Sequence, residues 1–258
     1  MLDAKATFAT DSANYAASRP RYPRELFRWI AGQCREHRCV WDCATGNGQA
    51  AIELARDFER VEATDVSAEQ LAEAFPSPNV NYSLQASERT AFPDSEFDLI
   101  AVAQALHWFD YELFWPEVRR VAKPGAFFCA WGYAWFERAS GPDTILSELH
   151  RILIEPMCEL LLPYWAANNR ILWDGYADAD IRFPFERIAA PRLAISMRWN
   201  VEQLIGYLRS WSAYKKAAAD PAVVTELSRL EEEARDRFVG IDALPLRLPL
   251  TIVAGRVP

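Results

Sequence analysis

Glycine is scarce in this chain, with 10 residues in 258. Set against 14 Phe, 10 Trp and 9 Tyr, with 51% hydrophobic and 25% charged residues, that scarcity excludes a linker, a low-complexity tract or a fibre. The chain is long enough to bury a sizeable core in one domain, or in a domain with a large insertion. Positive charge is also in deficit. A net charge of −8 argues against a broad basic face for nucleic acid, leaving small molecules as the expected partners. No apolar run approaches the roughly 18–20 residues that span a bilayer, and Met1 to Tyr15 lacks an apolar signal core. A soluble, unexported, cytoplasmic protein is expected, as a monomer or weak dimer. The 5 cysteines (Cys34, Cys39, Cys43, Cys129, Cys158) are odd in number and lack CxxC spacing, which predicts buried reduced thiols and no metal site.

What the chain does have is alternation. Glu25 to Ile30 reads as a proline-started amphipathic helix and Cys39 to Asp42 as a short buried strand. A helix over Gln49 to Arg60, a strand over Val61 to Asp65, and a helix capped by Ser67 through Ala74 follow. Further strands are predicted at Val80 to Leu84, Phe97 to Val102 and Ala126 to Trp131, the last entered through the turn Lys123-Pro-Gly125. This βαβαβ order predicts an α/β fold with a doubly wound, mostly parallel sheet, its ligand crevice at the carboxyl ends of the strands. From Tyr133 the alternation stops, so residues 134–199 are expected to form a helical insertion or cap within a single 1–258 domain. Ile188 to Trp199 and Leu246 to Val253 have strand character and should complete the sheet. Two helices are expected at Glu202 to Tyr214 and Pro221 to Phe238, the second with Glu231 to Arg237 on a solvated face.

The strongest local signal is Val40-Trp-Asp-Cys-Ala-Thr-Gly-Asn-Gly-Gln49, a strand running into a glycine turn that opens a helix. Gly46-x-Gly48-x-x-Ala51 satisfies the dinucleotide fingerprint, and Asp65 ends the next strand near the spacing of a ribose-binding acid, so spacing alone leaves an NAD-dependent oxidoreductase open. Against it stand the absence of an evident Tyr-x-x-x-Lys pair and the acid Asp42 ahead of the glycines, which suits a sulfonium or ammonium better than a pyrophosphate.

That combination resembles the class I S-adenosylmethionine-dependent methyltransferases, in particular the small-molecule branch of trans-aconitate methyltransferase-like proteins. The resemblance extends to Tyr15-Ala-Ala-Ser-Arg19-Pro-x-Tyr22-Pro23, Phe97-Asp98-Leu-Ile with Gln104-Ala-Leu-His107-Trp108-Phe109, and Arg120-Val-Ala-Lys-Pro-Gly125. It implies a seven-stranded Rossmann-like sheet and S-adenosylmethionine as cofactor. By the same resemblance Asp42, Ala44, Gly46 and Gly48 line the methionine end, Asp65 takes the ribose hydroxyls and Val66 flanks adenine. Ala86 and Ser87 stand at the adenine edge, Gln104 and His107 lie beside the methionine moiety, and Tyr15 and Arg19 close over it from a lid at residues 1–24. Ala44 and Ala86 depart from the family pattern, where a glycine and an adenine-contacting Asp are frequent.

Methyl transfer from a sulfonium is an in-line displacement that rests mainly on alignment and water exclusion. The expected acceptor is a small molecule. A carboxylate would need no base, whereas a hydroxyl or amine would make His107 the candidate general base. Trp108, Trp131 and Tyr133 are candidate walls of the acceptor pocket, with Trp131 also read as a core residue. His37 and His150 are expected on helices as surface or packing residues. A third reading, a non-catalytic protein that binds S-adenosylmethionine, is kept open by Ala44 and Ala86.

Overall fold

Five consecutive buried residues, Cys39–Cys43 (β1), make a strand covered on both faces, and such a strand belongs in the middle of a parallel sheet. A computed structural model, which describes residues 20–138, 141 and 144–258, places it there. The sheet also contains β2 (Arg60–Asp65), β3 (Val80–Leu84), β4 (Phe97–Ala103), β5 (Ala122–Gly132) and a last strand, β8 (Thr251–Arg256). Their order is β3-β2-β1-β4-β5-β8, with every pairing parallel except β5 with β8. Alternation along β1 sends Val40 to one face and Trp41 to the other. Val40 meets helix α1 (Arg24–Gln33) through Leu26, Phe27 and Ile30, while Trp41 packs near Phe97 and Phe114 of α4 (Tyr111–Val121). Trp41 Nε1 donates to Thr64 Oγ1 at 2.8 Å, so the buried indole is satisfied.

Between these lie α2 (Gln49–Leu54) and α3 (Ala68–Ala72), the latter capped by Ser67, whose hydroxyl accepts from Gln70 N. Helix α2 is shorter than the expected span to Arg60, because Arg56 and Asp57 bond back to Glu53 and Leu54 in tight turns. A bulge at Asp98 turns its carboxylate toward the start of β1, where it accepts from Cys39 N at 2.8 Å and Arg38 N at 3.0 Å. Lys123 Nζ donates to the same carboxylate at 2.5 Å, and Lys123-Pro-Gly125 lies inside β5 rather than in a turn before it.

A third core lies in the part of the chain where a cap is expected. It draws on α5 (Ile145–Leu149), a π-turn over His150–Ile154, α6 (Glu155–Leu161), β6 (Ala194–Trp199), α9 (Val201–Arg209), α10 (Ser212–Ala217), α11 (Pro221–Arg237) and β7 (Leu244–Pro249). It therefore extends past the expected 134–199 span. Two short helices, α7 (Asn169–Trp173) and α8 (Asp178–Ile181), connect it back to the sheet. Pro156 has no N–H for the carbonyl four residues back, which accounts for the widened turn.

Four expectations are corrected. Among the described residues the main sheet has six strands and not seven, because the expected Ile188 to Trp199 strand forms only over β6 and stays out of the main sheet, and the expected strand Leu246 to Val253 divides at Pro249 and Leu250. Its first part, β7, pairs with β6 in a separate two-stranded ribbon, and only β8 joins the main sheet. Glu231 is 1% exposed rather than solvated, since α11 turns it toward Arg209 and Tyr214. His37 lies in the turn after α1 and not on a helix, with Nε2 2.9 Å from Ala31 O. Cys34 and Cys158 are only partly buried, whereas Cys39, Cys43 and Cys129 are buried, and all five are free thiols. No helix of the described residues is long and apolar enough to cross a membrane.

Candidate active site

The carboxyl ends of β1, β2 and β4 converge on a turn built from left-handed residues. Ala44, Gly46 and Gly48 have φ of 56°, 60° and 84°. For Gly46 and Gly48 this is ordinary; for Ala44 it costs roughly 1 kcal/mol. Gly48 is required twice over, because a Cβ there would collide with the Tyr82 hydroxyl and lie 2.9 Å from Cζ. Tyr82 is held in place by donating to Phe75 O at 2.8 Å. The turn is tied to β2 by Thr45 N donating to Thr64 O at 2.9 Å.

Asp42 lies fully buried beneath this turn. Its Oδ2 accepts from Thr45 Oγ1 at 2.5 Å, and its Oδ1 is buried with no hydrogen-bond partner among the described residues. Burial pushes the carboxyl up to about 7, with a further push from the Asp65 charge, against the pull of the Thr45 hydrogen bond and of the Ala51 backbone amide. Asn47, also buried, has an Nδ2 with no hydrogen-bond partner among the described residues, while its backbone carbonyl accepts from Phe75 N at 3.1 Å. Two buried polar atoms without partners beside one glycine turn are the type of exception that a polar ligand would resolve.

Asp65 ends β2. Its Oδ2 accepts from Gly46 N and its Oδ1 from Ser67 N, both at 2.8 Å. Burial raises this carboxyl, with the backbone amides of Ser67, Gly46 and Val66 opposing. Each oxygen keeps a further lone pair. Val66 beside it is 39% exposed, an apolar surface open to a flat ring. After β3, Ala86 forms an isolated bridge with Arg89, and Ser87 is buried.

Gln104 follows β4 with φ of 58°. Its Oε1 accepts from Tyr133 N at 2.8 Å and its Nε2 donates to Tyr133 O at 2.7 Å, which staples the end of β4 to the end of β5. His107, in a single 3-10 turn over Leu106–Trp108, is 3% exposed, with Nδ1 3.0 Å from Tyr176 Oη. Burial lowers its pKa to about 3, so the imidazole is neutral at physiological pH.

The structure thus gathers Asp42, Ala44, Gly46, Gly48, Asp65 and Val66 at the carboxyl ends of β1 and β2, with Gln104 and His107 in the segment that follows β4. Trp108 is partly buried, 5.2 Å from the His107 ring. Trp131 is fully buried, with its ring edge-on to Tyr22 and Phe27 at 5.7 and 5.9 Å, which is a core position. Tyr133 is buried 6.1 Å from Tyr22. Tyr15 and Arg19 lie outside the described residues, as does most of the expected 1–24 lid. Thr45, Asn47 and Tyr82 were not singled out from the sequence, although the first two stand inside the glycine motif. Tyr176 comes from the connector between α7 and α8, packed in the same core as Trp41 and Phe114, and no sequence signal points to it.

Comparison with known proteins places this geometry in context. Residues 41–130 match the family model described as a methyltransferase domain. A protein of Dictyostelium discoideum assigned as a methyltransferase is 32% identical over 80% of this chain and 77% of its own. A protein of Saccharomyces cerevisiae assigned as an S-adenosylmethionine-dependent methyltransferase is 22% identical, with 81% of each chain covered. Other curated relatives, such as a methyltransferase-like protein of Schizosaccharomyces pombe, are spanned over about half their length, 56% in that case. Among solved structures, one assigned as a type II methyltransferase from Anaeromyxobacter dehalogenans superimposes with a TM-score of 0.81 at 34% identity. The alignment covers 93% of this chain and 98% of that one.

Proposed function

From the premise that this chain belongs to the class I S-adenosylmethionine-dependent methyltransferases, we propose that it transfers the methyl group to an oxygen of a small molecule, a carboxylate being the favoured class. Family membership replaces the dinucleotide reading that the Gly46, Gly48 and Ala51 spacing left open.

The observation that carries the cofactor assignment is the buried Oδ1 of Asp42, which has no hydrogen-bond partner among the described residues, under a left-handed glycine turn. The residues present fit the group. Asp42 would face its cationic methionine end, the Gly46 and Gly48 backbone leaves room for it, and the free lone pairs of Asp65 would accept from the ribose hydroxyls. Val66 would support the adenine face. When bound, S-adenosylmethionine supplies an electrophilic sulfonium methyl. The chain's own task is then to hold donor and acceptor in line and to exclude water.

An acceptor already ionised at pH 7 needs no proton removed, which agrees with a crevice whose imidazole is buried and neutral. The acidic overall balance, −8, favours a small acceptor over a nucleic acid. The aromatic and apolar cap behind Trp135 and Phe136 would shape the pocket for it.

Calorimetric titration with S-adenosylhomocysteine, with NAD in parallel and Asp65→Ala as control, tests the cofactor reading. Stoichiometric binding that the variant loses is expected. Binding of NAD with adenosylhomocysteine silent would refute it. A radiolabelled methyl-transfer screen over carboxylic acids, phenols and amines then tests the acceptor class, and turnover of amines alone would remove the oxygen assignment.

A further inference from the structure

His107 and Tyr176 are 69 residues apart in sequence, yet their side chains meet at the carboxyl end of β4. The backbone around each is pinned. His107 O accepts from Asn168 Nδ2 at 3.1 Å, just ahead of α7. Tyr176 has a φ of 55°, directly after Gly175 at 83°. A left-handed tyrosine persists only where its surroundings over-determine it. Here Tyr176 N donates to Ile171 O at 2.9 Å, and Arg187 Nη2 donates to Tyr176 O at 2.6 Å. The two rings lie nearly parallel, 29° apart with centroids at 6.1 Å.

The Tyr176 side chain is fully buried, and among the described residues its hydroxyl has one hydrogen-bond partner, His107 Nδ1. Tyr111, whose charge acts on it, has a buried hydroxyl with no hydrogen-bond partner among the described residues, so it supplies no alternative. A hydroxyl carries one proton, and the direction of this contact follows from where that proton can go. Were His107 to donate from Nδ1, the Tyr176 proton would be stranded in the core. Donation from Tyr176 to Nδ1 satisfies both atoms. The single imidazole proton then sits on Nε2.

We propose that Tyr176 is a positioning residue that fixes His107 as the Nε2–H tautomer, so that the crevice offers the methyl acceptor a neutral N–H donor at His107 and no general base. The inference rests on the proposed methyl transfer to oxygen and deepens it. An N–H at this position recognises a lone pair on the acceptor, and an acceptor bound there must arrive already deprotonated or lose its proton elsewhere. The imidazole cannot serve as base through Nδ1 either, because that lone pair is occupied by the Tyr176 hydroxyl. Burial keeps the ring from taking a second proton, its pKa being lowered to about 3.

Long-range 1H–15N spectra of the full chain labelled at its 3 histidines read the tautomer directly, with His107→Gln used to assign the signals. The expected result between about pH 5 and 8 is an unprotonated Nδ1 and a protonated Nε2 at His107. In Tyr176→Phe, the Nδ1 signal should move toward the position of a nitrogen with no hydrogen bond. A protonated Nδ1 in the wild type overturns the proposal, as does an Nδ1 signal unmoved in folded Tyr176→Phe. Should that variant not fold, the wild-type spectrum decides alone. Adenosylhomocysteine is titrated into the same sample. Binding combined with the wrong tautomer sinks only this inference, whereas no binding sinks the cofactor reading whatever the tautomer.

Discussion

Asp42→Asn isolates the cost of ionising a carboxyl that has been taken out of water. The folded chain holds the Asp42 carboxyl at about 7, whereas an unfolded chain titrates near 3.9. Three pH units at about 1.4 kcal/mol each amount to about 4 kcal/mol. The sign is destabilising for the cofactor-free protein. Below about pH 4 both states are protonated and the penalty is absent; between about pH 4 and 7 the folded state binds more proton than the unfolded one, so stability falls as pH rises; above about pH 7 the full penalty remains. Asparagine retains an oxygen for Thr45 and cannot ionise, but it places an unpartnered N–H where Oδ1 now lies, at a cost of about 1–3 kcal/mol. Urea unfolding of the two proteins from pH 4.5 to 8.5 should therefore show a difference that shifts in favour of the variant by several kcal/mol over the range, while all other titrations cancel. Binding should change in the opposite sense, with adenosylhomocysteine affinity falling by about 10–100-fold as its ammonium loses a charged partner. A pH-independent stability difference would refute the buried-carboxylate account of the site.

Three further substitutions test the turn and the cap. Ala44→Gly relieves a left-handed alanine and should raise Tm by about 2–4 °C in a thermal scan, as expected for roughly 1 kcal/mol in a chain of this size; a fall would mean that the Ala44 methyl contributes more by packing than it costs in backbone strain. Gly48→Ala forces a Cβ onto Tyr82 and should abolish adenosylhomocysteine binding in calorimetry while lowering stability, and wild-type affinity in that variant would disprove the required contact. Glu231→Gln leaves the Arg209 guanidinium, half exposed, without its buried bidentate partner. A loss of about 2–4 kcal/mol in urea unfolding is expected, and an unchanged midpoint would show the pair to be neutral.

The sheet was legible because its signals are local. A buried five-residue run, a glycine turn and an acid at the next strand end each lie within one segment, and the parallel order follows from the helices between them. The cap was not legible in the same way. Its core joins Leu149 and Leu161 to Leu204, Leu230 and Leu246, so the pattern that identifies it is spread over about a hundred residues. Glu231 illustrates the failure. In sequence it begins a run of charges with the look of a solvated face, and only the placement of Arg209 and Tyr214 from other helices explains its burial. The candidate site divides along the same line: Asp42, Gly46, Gly48 and Asp65 were readable from spacing, whereas Tyr176 reaches His107 through tertiary structure alone.

Gln104 shows how closely the two halves are joined. The family resemblance placed it beside the methionine moiety, yet in the fold its amide bonds both the N–H and the C=O of Tyr133. Those two bonds fix where the chain leaves the sheet for the cap, immediately after Gly132. A Cβ at Gly132 would come 2.7 Å from Gln104 Oε1 and 2.8 Å from Leu172 Cδ1, so the glycine permits the staple and the docking of α7 together. The same α7 carries Asn169 and Leu172, between the Asn168 that holds His107 O and the Tyr176 that holds its ring. The residues that orient His107 are thus attached to the segment that begins the cap, and the strand ends that would hold the cofactor share backbone contacts with the walls that would hold the acceptor. In a displacement governed by alignment, this shared framework is what a chain with no base to offer at His107 must supply.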